Sequence, residues 1–331
     1  MSLKLSVLDQ SPIHNNKPAS AALHDSLALA TLCDALGYSR YWIAEHHDTA
    51  CYASSCPEVL IGQIAARTQQ IRVGSGGVML NHYSPYKVAE VFRTLEAYYP
   101  DRIDLGFGRA PGGAEASSQA LAWPREPSHV DTYEDAVGLM QGFLRDQVEG
   151  VRAMPYAGRA PQLWTLGSSG GSVQLAAQMG LGFVLALFIG THERPAEIIA
   201  AYRKQFVSSG PGSRARALIA AAVIAADSQE EAEHLAASHV YWKVLAFRHG
   251  IREGLLPPEQ ALDRLKKLSP SDQAYFHETL ETVITGTGEQ CREQLQAQAD
   301  YYQVDEVMCV NVLWDFAARQ RSYQLLAEAA G

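Results

Sequence analysis

The stretch IRVGSGGVMLNHYSPYKVAEVFRTLEAYYPDRIDLGFG, residues 71–108, holds a short apolar run, a longer amphipathic run and a second short apolar run. IRVGSGGVML (71–80) and IDLGFG (103–108) are apolar without clean alternation, as strands covered on both faces are. Between them, SPYKVAEVFRTLEAYY opens with Ser84 as a candidate N-cap and Pro85 at the first helical position. Val88, Val91, Phe92, Leu95 and Tyr99 then fall on one helical face. Two such strands joined by a helix form a parallel β–α–β unit.

The same unit recurs along the chain. Strands are expected at 5–9, 41–45, 71–80, 103–108, 163–167, 182–188, 216–226 and 304–312, with helices at about 19–36, 57–69, 84–99, 131–146, 172–179, 194–207, 228–248 and 316–329. Eight strand–helix units in strict alternation, with no linker or composition break, predict one (β/α)8 TIM barrel over residues 1–331 rather than two doubly wound domains. Two stretches exceed a minimal barrel: about 109–130, after the fourth strand, and about 249–285, after the seventh helix. Long excursions in compact domains are usually functional or disordered.

Composition narrows the partners. Of 331 residues, 47% are hydrophobic and 19% charged, as in a globular chain with a large core. The net charge of −9, without a long basic run, argues against nucleic acid or an anionic membrane surface as principal partner. Cys33, Cys51, Cys56, Cys291 and Cys309 form no CxxC pair, which favours a reducing, cytoplasmic setting. The start of the chain has no signal-peptide core, and the most apolar run, 217–226, is about half of a roughly 20-residue membrane span.

Barrels of this kind place their chemistry where strands end and the following loops begin. The second strand ends in WIAEHHD (42–48), the third in GSGGVMLNHY, the fourth in GFGRAPGG and the fifth in LGSSGGS (166–172). In WIAEHHD, adjacent histidines on extended backbone point to opposite faces, so His46 and His47 are poorly arranged to chelate one metal ion. Each histidine could take part in chemistry at the pocket or brace the barrel rim through hydrogen bonds, the bracing role being favoured for His47; Glu45 could orient a histidine, pair with an arginine or be structural. In LGSSGGS a strand runs straight into a helix start, offering backbone N–H groups and hydroxyls to a phosphate, although a flexible turn capped by serine explains the same residues. Arg109 could add a fixed cation to that phosphate. Asp9, Gln10, His82 and Tyr83 are further pocket candidates without an assigned role, whereas Trp123, Trp164, Trp242 and Trp314 read as core or interface. No metal site is expected.

At WIAEHH (42–47), residues 73–113, LGSSGGSVQLAAQMGLGF (166–183), VITGTGEQCREQL (283–295) and RSYQLLAEA (321–329), the chain resembles the bacterial luciferase-like family of flavin-dependent monooxygenases, in its one-chain subgroup. The resemblance implies that His46 lies beside the reactive edge of a flavin and that Gly76-Gly77 forms a non-prolyl cis peptide beneath the ring. It implies that Arg109, Ser169, Gly171 and Ser172 hold the phosphate of FMN, which is used in its reduced form as a co-substrate. Gly108 stands where the light-emitting enzyme has a reactive cysteine. The family's second phosphate arginine has no aligned counterpart, Arg125 being a possible replacement, and 250–285 covers the family's mobile lid.

The function implied is a monooxygenase in which a peroxyflavin oxygenates a small organic substrate. Reduced FMN would come from a separate NAD(P)H-dependent flavin reductase, since no GxGxxG motif follows the first strand. The family also implies a homodimer packed through its second and third helices. Two alternatives remain open: hydride transfer with the deazaflavin F420, and a non-catalytic flavin-binding protein.

Overall fold

The computed structural model describes residues 3–13, 17–124, 132–156, 158–168, 170–192, 194–210 and 213–329. Strands β1 (Lys4–Asp9), β2 (Arg40–Ile43), β3 (Arg72–Met79), β4 (Ile103–Gly108), β5 (Gln162–Gly167), β6 (Gly182–Ala186) and β7 (Ala217–Ala225) pair in parallel in chain order. After β8 (Ile284–Gly286), β9 (Glu306–Val310) inserts between β7 and β1 and closes the barrel. The eight-stranded (β/α)8 architecture is as expected. The small strand β8 was not anticipated: it pairs with Val223–Ala225 beyond the reach of β9, and three residues are too few for a periodic signal.

The helices are α1 (Ala19–Ala35), α2 (Pro57–Ala65), α3 (Pro85–Tyr98), α4 (Glu115–Ala122), α5 (Tyr133–Leu144) and α6 (Gly170–Gln178). They continue with α7 (Glu197–Gln205), α8 (Gln229–His249), α9 (Pro258–Leu265), α10 (Pro270–Glu281), α11 (Gly288–Tyr302) and α12 (Phe316–Glu328). Ser84 precedes α3 as expected but makes no side-chain cap bond, so Pro85 with its preset φ is the working start signal. The oxygens of Ser228, Thr287 and Asp315 do cap α8, α11 and α12.

Both faces of each strand are buried, which explains the unbroken apolar runs. Val7, Tyr41, Ile43, Phe183 and Ile219 pack outward under the helices. Their neighbours Leu8, Trp42, Trp164, Val184, Leu218 and Met308 fill the barrel interior. The Trp42 and Trp164 rings meet edge to face, with centroids 5.6 Å apart. Glycines on neighbouring strands make the room: a Cβ on Gly182 would sit 2.4 Å from the Trp164 ring, and one on Gly74 2.5 Å from the Asp104 carbonyl.

At the base of the barrel, the buried Asp104 accepts hydrogen bonds from Arg40 Nη1 (2.6 Å) and Trp42 Nε1 (2.9 Å) on one oxygen. Its other oxygen accepts from Arg72 Nε (2.9 Å) and Nη2 (2.6 Å). Asp9, considered above for the pocket, faces outward instead, because Leu8 takes the inward position and side chains alternate. Its carboxylate accepts from Arg319 Nη2 at 2.6 Å and from the Tyr41 hydroxyl at 2.6 Å, tying α12 to the barrel wall.

The two insertions differ in role. After β4, α4 packs beside the turn at Leu80–His82, and 125–131 lie outside the described residues. After α8, helices α9 and α10 pack against α8 through Val240, Val244, Ala261, Leu265 and Phe276. Only residues 250–257 turn to the barrel mouth, where Leu255 joins the cluster of Trp42 and Tyr52, and Trp242 Nε1 donates to the Glu253 carbonyl at 2.8 Å.

Burial alone would raise the Asp9 pKa, but the Arg319 charge and its hydrogen bonds outweigh this and hold it below the usual carboxylate value. Its stabilising contribution is therefore complete above that usual value and is lost as pH falls through the lowered one. Arg319→Met, which strands the buried carboxylate, is expected to cost about 3–5 kcal/mol in urea unfolding at neutral pH.

Candidate active site

The backbone leaves the sheet just after Ile43, two residues earlier than expected. Ala44 N–H still donates to the Asp9 carbonyl, but His46 N–H donates to Ser54 and His47 N–H to Gly112, at 2.9 Å each. The loop after β2 is thus sewn to its own return and to the loop after β4. The two histidine rings part, as extended backbone dictates.

His47 Nε2 donates to Glu45 Oε1 at 2.7 Å. The same oxygen accepts from the Tyr83 hydroxyl at 2.7 Å, and Glu45 Oε2 accepts from the Met79 N–H at 3.0 Å. Glu45 is 1% exposed, so three donors from three segments hold one buried carboxylate. Burial, then the Glu45 charge, push the Tyr83 hydroxyl well above its usual pKa. Next to it, His82 Nε2 donates to the Pro111 carbonyl at 2.8 Å. His47, His82 and Tyr83 therefore brace the rim.

His46 faces a cavity of about 420 Å³ at the C-terminal end of the barrel. Its ring lies 4.5 Å from that of Tyr52. Nδ1 is buried and has no hydrogen-bond partner among the described residues. Burial, reinforced by the neighbouring charges of His47 and Arg252, lowers the pKa to about 4, so the imidazole is neutral at pH 7.

Gly76 and Gly77 form the floor of this cavity, and the peptide bond between them is cis. The β3–β4 register runs from Ser75↔Leu105 directly to Val78↔Phe107, so the two glycines stand opposite Gly106 in a bulge. A Cβ on Gly77 would lie 2.8 Å from Phe107 Cα, and one on Gly76 2.5 Å from Leu8 Cδ1. At Gly77 the neighbour is fixed backbone and only glycine fits, at Gly76 a side chain would have to displace the end of Leu8, and backbone rather than side chain is presented to whatever lies above.

The opposite end is built by β5 and α6. Ser168, Gly171 and Ser172 line the cavity at the start of α6, where helical N–H groups lack intrahelical acceptors. A Cβ on Gly167 would overlap Ser172 Oγ at 2.2 Å, so Gly167 allows the tight turn that brings this helix start in. Ser169, expected at the same site, lies outside the described residues, as does Arg125. Arg109 lines the cavity with its guanidinium 5.0 Å from the Tyr133 ring and 3.9 Å from Glu134 Oε1. Gly108 also lines it, with open space where a side chain would begin.

His46, Gly76, Gly77, Arg109, Gly171 and Ser172, far apart in sequence, thus share one cavity. Gln10 lines it as well, whereas Asp9 does not. Sequence reasoning missed Tyr133, Thr165, Phe188 and Ile189, which also line it. Tyr133 belongs to a helix that the sequence locates only by its approximate range, 131–146. Phe188 and Ile189 lie at the end of an apolar run whose inward positions only a closed barrel defines. Among the described residues no group of three or more His, Cys, Asp or Glu could hold a metal ion, and no helix is long and apolar enough to cross a membrane.

Comparison with known proteins places the chain in a family and matches its fold. Residues 3–304 match the family model of luciferase-like monooxygenases. The chain is 37% identical to an N-acetyl-S-alkylcysteine monooxygenase of Bacillus subtilis, over 99% of this chain and 98% of the relative. The crystal structure of apo-MsnO8 superposes with a TM-score of 0.89 at 38% identity, covering 99% of this chain and 98% of that one. The oxygenating constituent of 3,6-diketocamphane monooxygenase from Pseudomonas putida, in complex with FMN, shares the fold with a TM-score of 0.75 at 17% identity, over 100% and 98% of the two chains. The chain belongs to the luciferase-like monooxygenase family.

Gly77→Ala is expected to lower stability by about 1–3 kcal/mol through overpacking against the β4 backbone, measurable by denaturant unfolding. His46 contributes stability in full above the ordinary histidine pKa of 6.5 and loses it as pH falls toward about 4, because its folded-state value is lowered. His239 is lowered too. His46→Gln should therefore remove part, not all, of the fall in unfolding free energy between pH 6.5 and 4.

Proposed function

We propose that this member of the family is a flavin-dependent monooxygenase that takes reduced FMN as co-substrate and oxygenates a small organic molecule at the barrel mouth. The observation that carries this reading is the union, in one cavity, of a side-chain-free floor at Gly76–Gly77, a buried imidazole and an anion-binding end. These features fit the parts of FMN. The floor accepts a flat ring system closely, the Nδ1 of His46 awaits a hydrogen-bond partner, and Arg109 with the α6 start suits a phosphate. Reduced FMN, when bound, supplies the two electrons that activate dioxygen, one oxygen atom going to the substrate and the other to water.

The chain's own contribution is placement, exclusion of water and proton handling. Arg109 and the Ser172 hydroxyl anchor the phosphate and so set how far the ring reaches toward His46. Leu8, Met79, Leu166, Phe188 and Ile189 give the walls their apolar character, which limits the water available to divert the oxygen chemistry. With its pKa lowered to about 4, His46 enters the reaction neutral and can accept a proton at its open nitrogen and return it. Residues 250–257, anchored by Leu255 at the mouth, are the natural cover over the substrate.

Reduced FMN would arrive from a separate NAD(P)H-dependent flavin reductase, since no GxGxxG follows β1. We place a homodimer interface on α2 and α3, where Val59 and Tyr98 are 63% and 74% exposed. Five free cysteines suit a cytoplasmic location. The activity named for the B. subtilis relative makes thioethers of N-acylated amino acids the first compounds to screen.

Anaerobic titration with reduced FMN and reduced F420 tests the cofactor: FMN should bind, and tight F420 binding without FMN affinity would overturn the reading. Arg109→Gln is expected to weaken FMN about tenfold while leaving riboflavin affinity unchanged, since only FMN carries the phosphate. His46→Ala should lower the oxygenation rate at least about 100-fold with FMN affinity changed only a few-fold. An unchanged rate would remove the histidine from the chemistry.

A further inference from the structure

At the N-terminal end of the barrel, away from His46, two adjoining cavities of about 640 Å³ and 250 Å³ share Arg40, Arg214 and Arg216. This end of a barrel ordinarily serves stability, and part of the cluster plainly does. Arg40 binds Asp104 Oδ2 at 2.6 Å and Glu306 Oε1 at 2.8 Å, and Arg72 takes the other Asp104 oxygen. Both buried carboxylates are thereby engaged.

Arg216 is left over. Its guanidinium lies 4.8 Å from the Trp164 ring centroid and donates to Gln162 Oε1 at 2.5 Å. It forms no ion pair among the described residues. The Arg40 guanidinium lies at the same 4.8 Å from the same ring. Burial, and then the like charge of Arg40, lower the Arg216 pKa below the usual arginine value. Arg214 and Arg145 line the larger cavity as well, and neither side chain forms an ion pair among the described residues. A structural plug would pair its charges. Here pairing stops at Arg40 and Arg72, and a partly buried cation is held beside another cation, an arrangement that an anion relieves.

We propose that the larger cavity is a second ligand site, taking a small metabolite through a phosphate group held by Arg216 and Arg214. A guanidinium fork matches a phosphate bidentately. The volume exceeds a bare phosphate and lies in the range of small-molecule sites, about 300–1,000 Å³. Gln141, Ser209 and Ser213 offer neutral hydrogen-bonding groups to the remainder of the ligand. The site is separate from the FMN phosphate end, where Arg109 is the cation. It does not depend on the proposed oxygenation.

Calorimetric and ³¹P NMR titrations of the full-length protein with inorganic phosphate and with glycerol 3-phosphate, at constant ionic strength, test the proposal. Saturable binding in the millimolar range or below is expected, tighter for the ester if an organic phosphate is the natural ligand and equal if free phosphate is. Arg214→Gln, an exposed position, should weaken it at least about tenfold, and Arg216→Lys should do the same with the circular dichroism spectrum unchanged. Arg109→Gln should leave it intact. Binding abolished by Arg109→Gln but retained in Arg214→Gln would assign the phosphate to the mouth and overturn the proposal. So would the absence of saturation, or an equal response to sodium chloride.

Discussion

Asp104 is the constraint around which the barrel is arranged. A carboxylate with no solvent exposure persists only when its lone pairs are satisfied, and here Arg40, Arg72 and Trp42 supply four donors. Those partners come from β2 and β3, so satisfying one side chain on β4 sets three neighbouring strands in register at the base. The same bond orients the Trp42 indole across the barrel axis against Trp164, and that pair sets the packing of the interior. Glycines at 74 and 182 accompany it, because a Cβ would run into Asp104 at the first and into the Trp164 ring at the second.

With the base tied by charge pairs and the middle filled by tryptophans, the cavity that His46 lines lies at the C-terminal end. There a second buried carboxylate, Glu45, does for the loops what Asp104 does for the strands. By accepting from His47, Tyr83 and the Met79 amide, it joins the loop after β2 to the turn after β3. Gly112 and Gly113 let the loop after β4 come onto His47. The bracing His47 and the cavity-lining His46 are neighbours in sequence, and their backbone amides, bonded to Gly112 and Ser54, hold them in different surroundings. One is spent on the scaffold so that the other is held, buried and neutral, at the cavity wall.

Much of this was legible in the residues. Unbroken apolar runs alternating with amphipathic ones report strands covered on both sides and hence the barrel. Pro85 marks the start of α3 through a backbone restriction that is local. The GSGGV run reports a place where side chains are excluded, and LGSSGGS a strand passing directly into a helix. Other features were not legible because they depend on which way a side chain turns at a strand's end. Asp9 stood beside the candidate pocket but faces Arg319, 310 positions away. Tyr133 reaches the cavity from the start of α5, and a helix range alone does not say which of its residues turns to the barrel mouth. The strand β8 exists because β7 outruns β9 and leaves three residues to be paired.

Local physics, carried by periodicity, glycine and proline, therefore determines the elements, their order and the positions where backbone must be exposed. It also separates His46 from His47, since alternation along extended chain is a local property. Which charges pair is decided only on closure of the barrel. Arg40, Arg72 and Arg216 are equivalent letters at strand starts, yet two find carboxylates and the third does not. The reason is that Coulomb energy and desolvation depend on distances through space, and the closed barrel alone brings residues 40, 72, 104, 216 and 306 to one end.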